Sequence, residues 1–167
     1  MAKRPDTTAE TAAAWRAIDE LFHKVLDRFY NEKRRVRPFP TALHLLRLLD
    51  KYDPRAETLL GMSGRWLVAE VDGDLSEAIR YREMELTALR RHIADGLIGS
   101  GGLDADEFSD RLDLLASAYL DAERYDDALR LLDESESFCT AHGVPFDGEE
   151  IRTDAKRAMD RRKTARV

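Results

Sequence analysis

The sequence predicts an all-α fold in which antiparallel helix pairs stack on one another. A spaced pattern of large apolar residues, with a small alanine at the same offset in the following helix, occurs three times along the 167 residues. Only nine glycines and five prolines are present, and they stand between the apolar segments as punctuation. No segment alternates apolar and polar residues with the period of two that is typical of a strand.

The clearest copy of the pattern covers residues 112–132 and predicts two helices joined by a turn. Apolar residues recur at helical spacing before and after a polar break at residues 121–124. Ala116 and Ala128 are small where the two helix axes would approach each other. Tyr119 would fill the volume between this pair and the next. Two antiparallel helices are therefore expected here.

The middle copy has the same form, with its alanine at Ala78 and with Trp66 as its aromatic residue. Gly73 predicts the end of one helix, because glycine adopts the left-handed conformation that closes many helices. The spacing of acidic and hydroxyl residues over 74–77 predicts a capping box that opens the next helix. This copy therefore also reads as helix, turn and helix.

The first copy is weaker and covers residues 22–49, with its alanine at Ala42. The three alanines, Ala42, Ala78 and Ala128, are separated by 36 and 50 residues. The predicted array is therefore irregular, with an extension between the second and third pairs.

These residues resemble the tetratricopeptide repeat, a helix-turn-helix unit of about 34 residues. Segments 53–60 and 73–79 are the most similar to that family, and the resemblance covers roughly residues 12–141. It implies a short right-handed solenoid of about seven helices, closed by a C-terminal capping helix with a polar back. A generic helical bundle is the alternative. The chain is expected to be one domain, residues 1–167, divided at 7–52, 53–98, 103–142 and 147–166.

Start and stop signals give the helices their expected bounds. Thr7 and Glu10 have the spacing of a capping box, and Pro54 after Asp53 predicts the start of the third helix. The seven helices are expected over residues 7–35, 41–52, 53–71, 75–98, 104–121, 125–141 and 147–166.

Charge and cysteine content limit the partners and the cellular compartment that can be expected. The formal net charge of −6 and the pI near 5.3 argue against nonspecific binding of nucleic acid by the whole chain. No apolar stretch indicates a signal peptide or a membrane span. Cys139 is the single cysteine and fits a reducing compartment, so a cytoplasmic location is expected.

Basic residues cluster at 28–37 and 156–166. They can complement the negative ends of helix dipoles and keep these helices solvated. They can also bind a phosphate-bearing partner such as RNA or DNA. The sequence leaves both interpretations open.

The resemblance also implies a binding surface, since the first helix of each pair in this family lines a concave groove that holds a segment of another protein. Carried over to this sequence, the partner-binding groove consists of Glu20, His23, Asp27, Tyr30, Glu57, Leu60, Leu67, Asp110, Asp113, Ser117, Leu120 and Asp121, together with Asn31, Gly64 and Val68. Six of these residues are acidic and none is basic. They favour a partner with a hydrophobic anchor and Lys or Arg on its flanks, unless the carboxylates are merely solvated.

Asp113 and Ser117 stand where family members that clamp a terminal carboxylate need Lys, Arg or Asn. A ligand of that class is therefore disfavoured.

Catalytic and metal-binding patterns are weak. Glu20 and His23 have the spacing of two metal ligands on one helical turn, but a di-iron bundle needs a second such pair. Cys139 and His142 could form a catalytic pair, yet no orienting Asn or Asp is evident, and two ligands do not complete a zinc site. The glycine-rich segment 99–102 lacks the lysine of a phosphate-binding loop. We expect no enzyme activity, no cofactor and no metal.

The hypothesis that follows is a protein-protein interaction module that acts as adaptor, scaffold, regulator or chaperone-like protein. The alternative is a structural protein that self-assembles as a homodimer, and a third hypothesis is a nucleic-acid-linked regulator that uses the basic helix ends. Candidate apolar surface for self-assembly is provided by Trp15, Ile18, Leu89, Ile93 and Leu97.

Overall fold

The computed structural model describes residues 7–31, 40–96 and 104–165, and in these ranges it contains seven helices and no strand. The predicted all-α class is confirmed. The helices are α1 (Thr7–Asn31), α2 (Pro40–Tyr52), α3 (Leu59–Asp72), α4 (Leu75–Ala94), α5 (Ala105–Asp121), α6 (Tyr125–His142) and α7 (Glu149–Thr164). None of these helices combines the length and the apolar character needed to cross a membrane.

The observed bounds of α2, α5, α6 and α7 lie within two residues of the prediction. The third helix differs, because it begins at Leu59 and not at Asp53–Pro54. The fourth helix ends at Ala94, and Gly96 follows it with φ 74°. The predicted end of the first helix near residue 35 lies outside the described residues, as do Leu97 and the predicted glycine turn at 99–102.

The chain divides into two compact units, Met1–Tyr81 and Arg82–Val167, and α4 begins in the first and ends in the second. In the first unit, α1, α2 and α3 pack around one apolar core. The helical spacing of the core residues explains this packing, because it places them on one face of each helix. The core consists of Ile18, Phe22, Val25, Ala42, Leu45, Leu49, Trp66, Leu67, Val68 and Val71. That the chain is a single domain stays a prediction.

Asp53 organises the turn between α2 and α3. Its buried carboxylate accepts hydrogen bonds from the N–H of Glu57 and from the N–H and hydroxyl of Thr58, at 2.8 to 3.1 Å. Thr58 in turn caps α3, because its Oγ1 accepts a bond from the N–H of Gly61 at 2.9 Å. A Cβ atom at position 61 would lie 1.8 Å from Asp53 Oδ2. These bonds explain why the chain becomes helical only after Thr58.

Arg65 joins α3 to the end of α2. Its buried guanidinium donates to Asp50 Oδ1 at 2.9 Å and to the carbonyl oxygen of Asp53 at 3.1 Å. One residue earlier, Gly64 allows α2 and α3 to approach closely, since a Cβ atom there would lie 2.7 Å from Leu49 Cδ1. The sequence pattern gave no sign of either contact.

In the second unit, α5 and α6 form the most extensive helix-helix contact. The rings of Phe108 and Phe138 lie 4.7 Å apart, and the hydroxyl of Ser109 lies 3.1 Å from that of Ser135 and 3.0 Å from Cys139 Sγ. Apolar and small residues fill the rest of this contact: Leu112, Leu115, Ala116, Ala128 and Leu132 are all buried. The clearest copy of the sequence pattern therefore forms the core of this unit.

The second half of α4 is held to this pair by ion pairs and one tyrosine. The hydroxyl of Tyr119 donates to Glu83 Oε1 at 2.6 Å, and the guanidinium of Arg124 lies 3.3 Å from the same oxygen. Arg90 donates to Glu134 Oε1 at 2.9 Å. The guanidinium of Arg124 also lies 4.1 Å from the centre of the Tyr119 ring.

The turns before α4 and before α6 have the same backbone hydrogen bonds, which give a common register for comparing α3 and α4 with α5 and α6. Asp74 N donates to Ala69 O and Arg124 N donates to Tyr119 O, both at 2.8 Å. Counting from these turns, Tyr119 corresponds to Ala69, and Trp66 corresponds to Ala116, not to Tyr119 as the sequence pattern suggested. Ala78 and Ala128 do correspond, and both are fully buried. The spacing from turn to alanine is therefore the same in α4 and α6, whereas the aromatic residues of α3 and α5 stand at different positions.

Candidate partner-binding surface

The predicted groove residues on α1 lie on the surface of the first unit. Glu20, His23 and Asp27 are exposed, and Tyr30 is 57% exposed. His23 Nδ1 donates to the carbonyl oxygen of Asp19 at 2.9 Å, which is a bond within α1. These residues present polar groups but form no cluster with one another in the described contacts.

The predicted residues in and before α3 are mostly inaccessible. Glu57 is exposed and Leu60 is half-buried, whereas Leu67 is fully buried in the core and Gly64 and Val68 are buried as well. A ligand cannot contact Leu67 in this structure. The physical reason is that every residue from 61 to 69 is buried, so α3 has no open face. The nearly continuous run of apolar and small residues there is the sequence signal for such a helix.

The five predicted residues on α5 all reach the surface of the second unit. Asp110 and Asp121 are exposed, and Asp113, Ser117 and Leu120 are half-buried. These five therefore present a partly accessible polar surface, whereas the predicted residues on α1 are all exposed.

Two further carboxylates influence this surface and were missed by the sequence interpretation. Asp106 lies one helical turn before Asp110. Their spacing of four residues in the sequence already indicates that the two side chains are neighbours on a helix. Asp147 lies in the segment between α6 and α7, and its effect on Asp110 and Asp113 depends on tertiary folding. We call Asp106, Asp110, Asp113 and Asp147 the acidic surface of α5.

The pKa values of two of these carboxyls are raised. Burial raises the pKa of Asp110 most, Asp106 and Asp147 raise it further, and Arg111 acts in the opposite direction. Burial also raises the pKa of Asp113, and the negative charges of Asp110 and Asp147 add to the effect. The Ser135 hydroxyl and Arg152 lower the pKa of Asp113 but do not cancel its rise. Both carboxylates are therefore less stable as anions than in water.

Cations of the second unit are engaged elsewhere. Arg111 lies 3.5 Å from Glu85 and from Glu107, and Arg124 pairs with Glu83 and Asp127. Residues 82–150 contain eighteen Asp and Glu but only six Lys and Arg. Among the described residues, neither Asp110 nor Asp113 forms an ion pair, and Asp113 Oδ1 is buried without a hydrogen-bond partner. The acidic surface of α5 therefore carries negative charge that no neighbouring cation contacts directly.

Cys139 and His142, which the sequence places three residues apart, have separate contacts in the structure. Cys139 is buried against Ser109, whereas the exposed His142 stacks on Phe138 at 4.0 Å and donates to its carbonyl oxygen at 2.9 Å. Within the described ranges, no group of three or more His, Cys, Asp or Glu is placed to hold a metal ion.

The surface proposed for self-assembly is largely used inside the chain. Ile18 is fully buried and Leu89 is 2% exposed, while Trp15 and Ile93 are half-buried. Leu97 lies outside the described residues. Of the basic residues in α7, four lie close to carboxylates: Arg152 to Asp133, Glu136 and Glu149, Arg157 to Asp154, Arg162 to Glu123 and Lys163 to Asp160.

Comparison with models of protein families, with curated proteins and with solved structures finds no match to this chain. The resemblance to the tetratricopeptide repeat therefore rests on the residues of this chain alone.

Proposed function

We propose that this chain is a protein-protein interaction module of the tetratricopeptide type, which binds a basic segment of a partner protein on the acidic surface of α5. The observation that carries the proposal is that, among the described residues, neither Asp110 nor Asp113 forms an ion pair and Asp113 Oδ1 is buried without a hydrogen-bond partner, while burial raises the pKa of both carboxyls. A Lys or Arg from a partner would stabilise these anions and neutralise their mutual repulsion. Binding, not catalysis, is the activity that this chemistry favours.

One contact in the second unit supports an antiparallel pair. Around the turn between α5 and α6, Phe108 near the start of α5 meets Phe138 near the end of α6. This contact is that of two helices that run in opposite directions.

A partner segment for this surface needs both charge and an apolar anchor. Leu120 and Ser117 are half-buried on the same helix as the carboxylates, so a hydrophobic side chain beside a Lys or Arg would have a contact there. Because Asp110 is exposed, salt would screen its attraction and weaken binding. An adaptor or chaperone-like role in the cytoplasm is consistent with such binding.

The proposal can be tested with a synthetic peptide, Lys-Arg-Leu-Leu-Arg-Lys, titrated into the full chain by calorimetry at low salt. We expect the double variant Asp110→Asn, Asp113→Asn to bind it roughly tenfold more weakly, since two charge pairs are lost. Charge reversal by Asp113→Lys and Asp121→Lys should weaken binding further.

A matched control is the double variant Asp72→Asn, Asp95→Asn, which removes the same charge from two exposed positions outside α5. It should retain the affinity of the unmodified chain within about twofold. Equal affinity of the charge-reversed variant and the unmodified chain would show that the acidic surface of α5 does not bind the peptide.

A further inference from the structure

Helix α7 is attached to the second unit mainly by one arginine. Only Arg152 and Ala155 are buried along α7, and Ile151 and Met159 are half-buried. Most of its remaining side chains are charged and exposed. Because burial of apolar surface is what stabilises a helix against its neighbours, so few apolar contacts hold α7 weakly.

Arg152 binds carboxylates from two elements. Its Nη1 lies 2.8 Å from Glu136 Oε2 and 3.2 Å from Glu149 Oε2, and its Nη2 donates to Asp133 Oδ1 at 3.1 Å. The guanidinium also lies 4.9 Å from the centre of the Phe146 ring. Asp133 and Glu136 belong to α6, so the acidic exterior of that helix holds a basic helix of the same chain.

The C-terminal half of α7 is less closely packed. A cavity of about 440 Å³ lies between it and the start of α6, lined among others by Tyr125, Asp126, Met159 and Lys163. The pair formed by Arg162 and Glu123 spans 3.2 Å, and both side chains are more than half exposed. An exposed pair of this kind contributes little to stability.

The segment before α7 is fixed more firmly. Gly148 is buried, and a Cβ atom there would lie 2.6 Å from Leu132 Cδ2 and 2.7 Å from the Phe146 ring. The chain is therefore anchored to α6 up to Gly148, and α7 follows this anchor as the last helix of the described chain.

We propose that α7 is a displaceable internal ligand, which a basic amphipathic helix of the partner replaces on α5 and α6. This inference rests on the proposed function and deepens it by naming the kind of partner. Helix α7 contacts both α5 and α6, and Arg152 acts on Asp113 of the acidic surface of α5. A partner helix that replaces α7 would bring its own cation to both sets of carboxylates.

Helix α7 also indicates the pattern that such a partner would carry. An arginine, a small residue three positions later and an apolar residue seven positions later correspond to Arg152, Ala155 and Met159. These positions lie on one face of a helix. The rest of the partner helix would be polar, with further Lys or Arg.

The experiment is hydrogen exchange of the full chain, followed by mass spectrometry, alone and with a synthetic peptide of residues 149–165. We expect the amides of α7 to exchange at least roughly tenfold faster than those of α5 and α6 in the free chain, because α7 opens on its own. The added peptide should accelerate the exchange of α7 further and bind with measurable affinity. A peptide with Arg152→Glu should do neither.

Two variants test the role of the arginine contacts. Asp133→Asn with Glu136→Gln removes two exposed carboxylates that hold Arg152, and it should accelerate exchange of α7 by roughly tenfold. Asp154→Asn removes an exposed carboxylate of α7 that lies 3.7 Å from Arg157, and it should leave that rate unchanged within about twofold.

Exchange of α7 only together with α5 and α6 would overturn the proposal, and so would a peptide that binds without accelerating α7. Either result would leave the proposed function standing. Loss of the proposed function is recognised separately, by equal affinity of the charge-reversed α5 variant for the basic hexapeptide.

Discussion

Glu123 occupies a backbone conformation that glycine adopts more easily. Its φ of 58° lies in the left-handed region, and the matching turn before α4 has Gly73, with φ 73°. A residue with a Cβ atom loses roughly 1–2 kcal/mol in this region relative to glycine. Glu123 forms an exposed ion pair with Arg162, and this pair offsets only part of the conformational cost at position 123.

Replacing Glu123 by glycine should therefore stabilise the protein. We expect Glu123→Gly to raise the free energy of unfolding by about 0.5–1 kcal/mol in urea denaturation, since relief of strain outweighs the lost pair. The reciprocal change, Gly73→Ala, should lower it by about 1–2 kcal/mol. If both variants unfold at the same urea concentration as the unmodified chain, the two turns are not strained in the way the geometry indicates.

Tyr119 makes the stability of the folded chain depend on pH in the alkaline range. Burial and the hydrogen bond to Glu83 raise the pKa of Tyr119 to about 12, from an ordinary value of 10.0. The folded state therefore keeps this proton at a pH where the unfolded chain has lost it. Stability should fall as pH rises from about 10 to about 12, and it should be unaffected by this group below that range.

The check is urea denaturation of the unmodified chain and of Tyr119→Phe at pH 9 and pH 11.5. The variant should be less stable at pH 9, since a buried bond to a charged acceptor is worth roughly 1.5–3 kcal/mol. Its further loss between the two pH values should be smaller than that of the unmodified chain. Equal losses would mean that Tyr119 does not hold its proton through this range.

At the scale of helices, the central close contact of the second unit requires small residues. Ala116 and Ala128 are both 0% exposed, one in α5 and one in α6. Enlarging either residue forces the helices apart or drives neighbouring side chains from their preferred rotamers, at a cost of roughly 1–3 kcal/mol.

We expect Ala128→Leu to lower the midpoint of thermal unfolding, by roughly 2–4 °C for each kcal/mol in a chain of this size. Ala141→Leu is the matched control, because Ala141 is exposed on the same helix. It should change the midpoint little. If Ala128→Leu leaves the midpoint of thermal unfolding unchanged, α5 and α6 have enough space at position 128 for a larger side chain.

Apolar periodicity in the sequence predicts that the helices exist. It does not predict several of the contacts between them. The predicted start of α3 is wrong because the prediction takes Pro54 as the first residue of a helix. In the structure, the buried carboxylate of Asp53 holds the following residues in a turn. Trp66 was matched to Tyr119 because both are aromatic, although the shared turns place it one helical turn earlier. Both errors arise because hydrogen bonds at the turns, and not apolar spacing, fix the helix start and the register.

At the scale of the molecule, the two units differ in how they present the predicted groove residues. In the first unit, Leu67 lies in the core, because α1 and α2 pack against α3. In the second unit, Asp110 and Asp113 reach the surface and gain the influence of Asp147. The sequence could predict the acidic residues of α5, but only folding reveals which carboxylates lack a cation.

Acidic and basic residues are unevenly distributed along the chain. Residues 82–150 carry a large excess of carboxylates, and the segment that follows is rich in Lys and Arg. The contacts of Arg152 and Arg162 place part of that basic segment against acidic residues of the same unit. A basic partner would therefore meet both an attractive surface and an internal competitor.

The most direct test of the central claim is the titration of the side-chain carboxyl carbons of Asp110 and Asp113, followed by nuclear magnetic resonance with and without the basic hexapeptide. Because a bound cation favours the ionised form, the peptide should lower the pKa of both carboxyls toward their ordinary value, and its affinity should fall as the pH drops below them. Unchanged pKa values at Asp110 and Asp113, with the peptide bound, would contradict recognition of a partner by the acidic surface of α5.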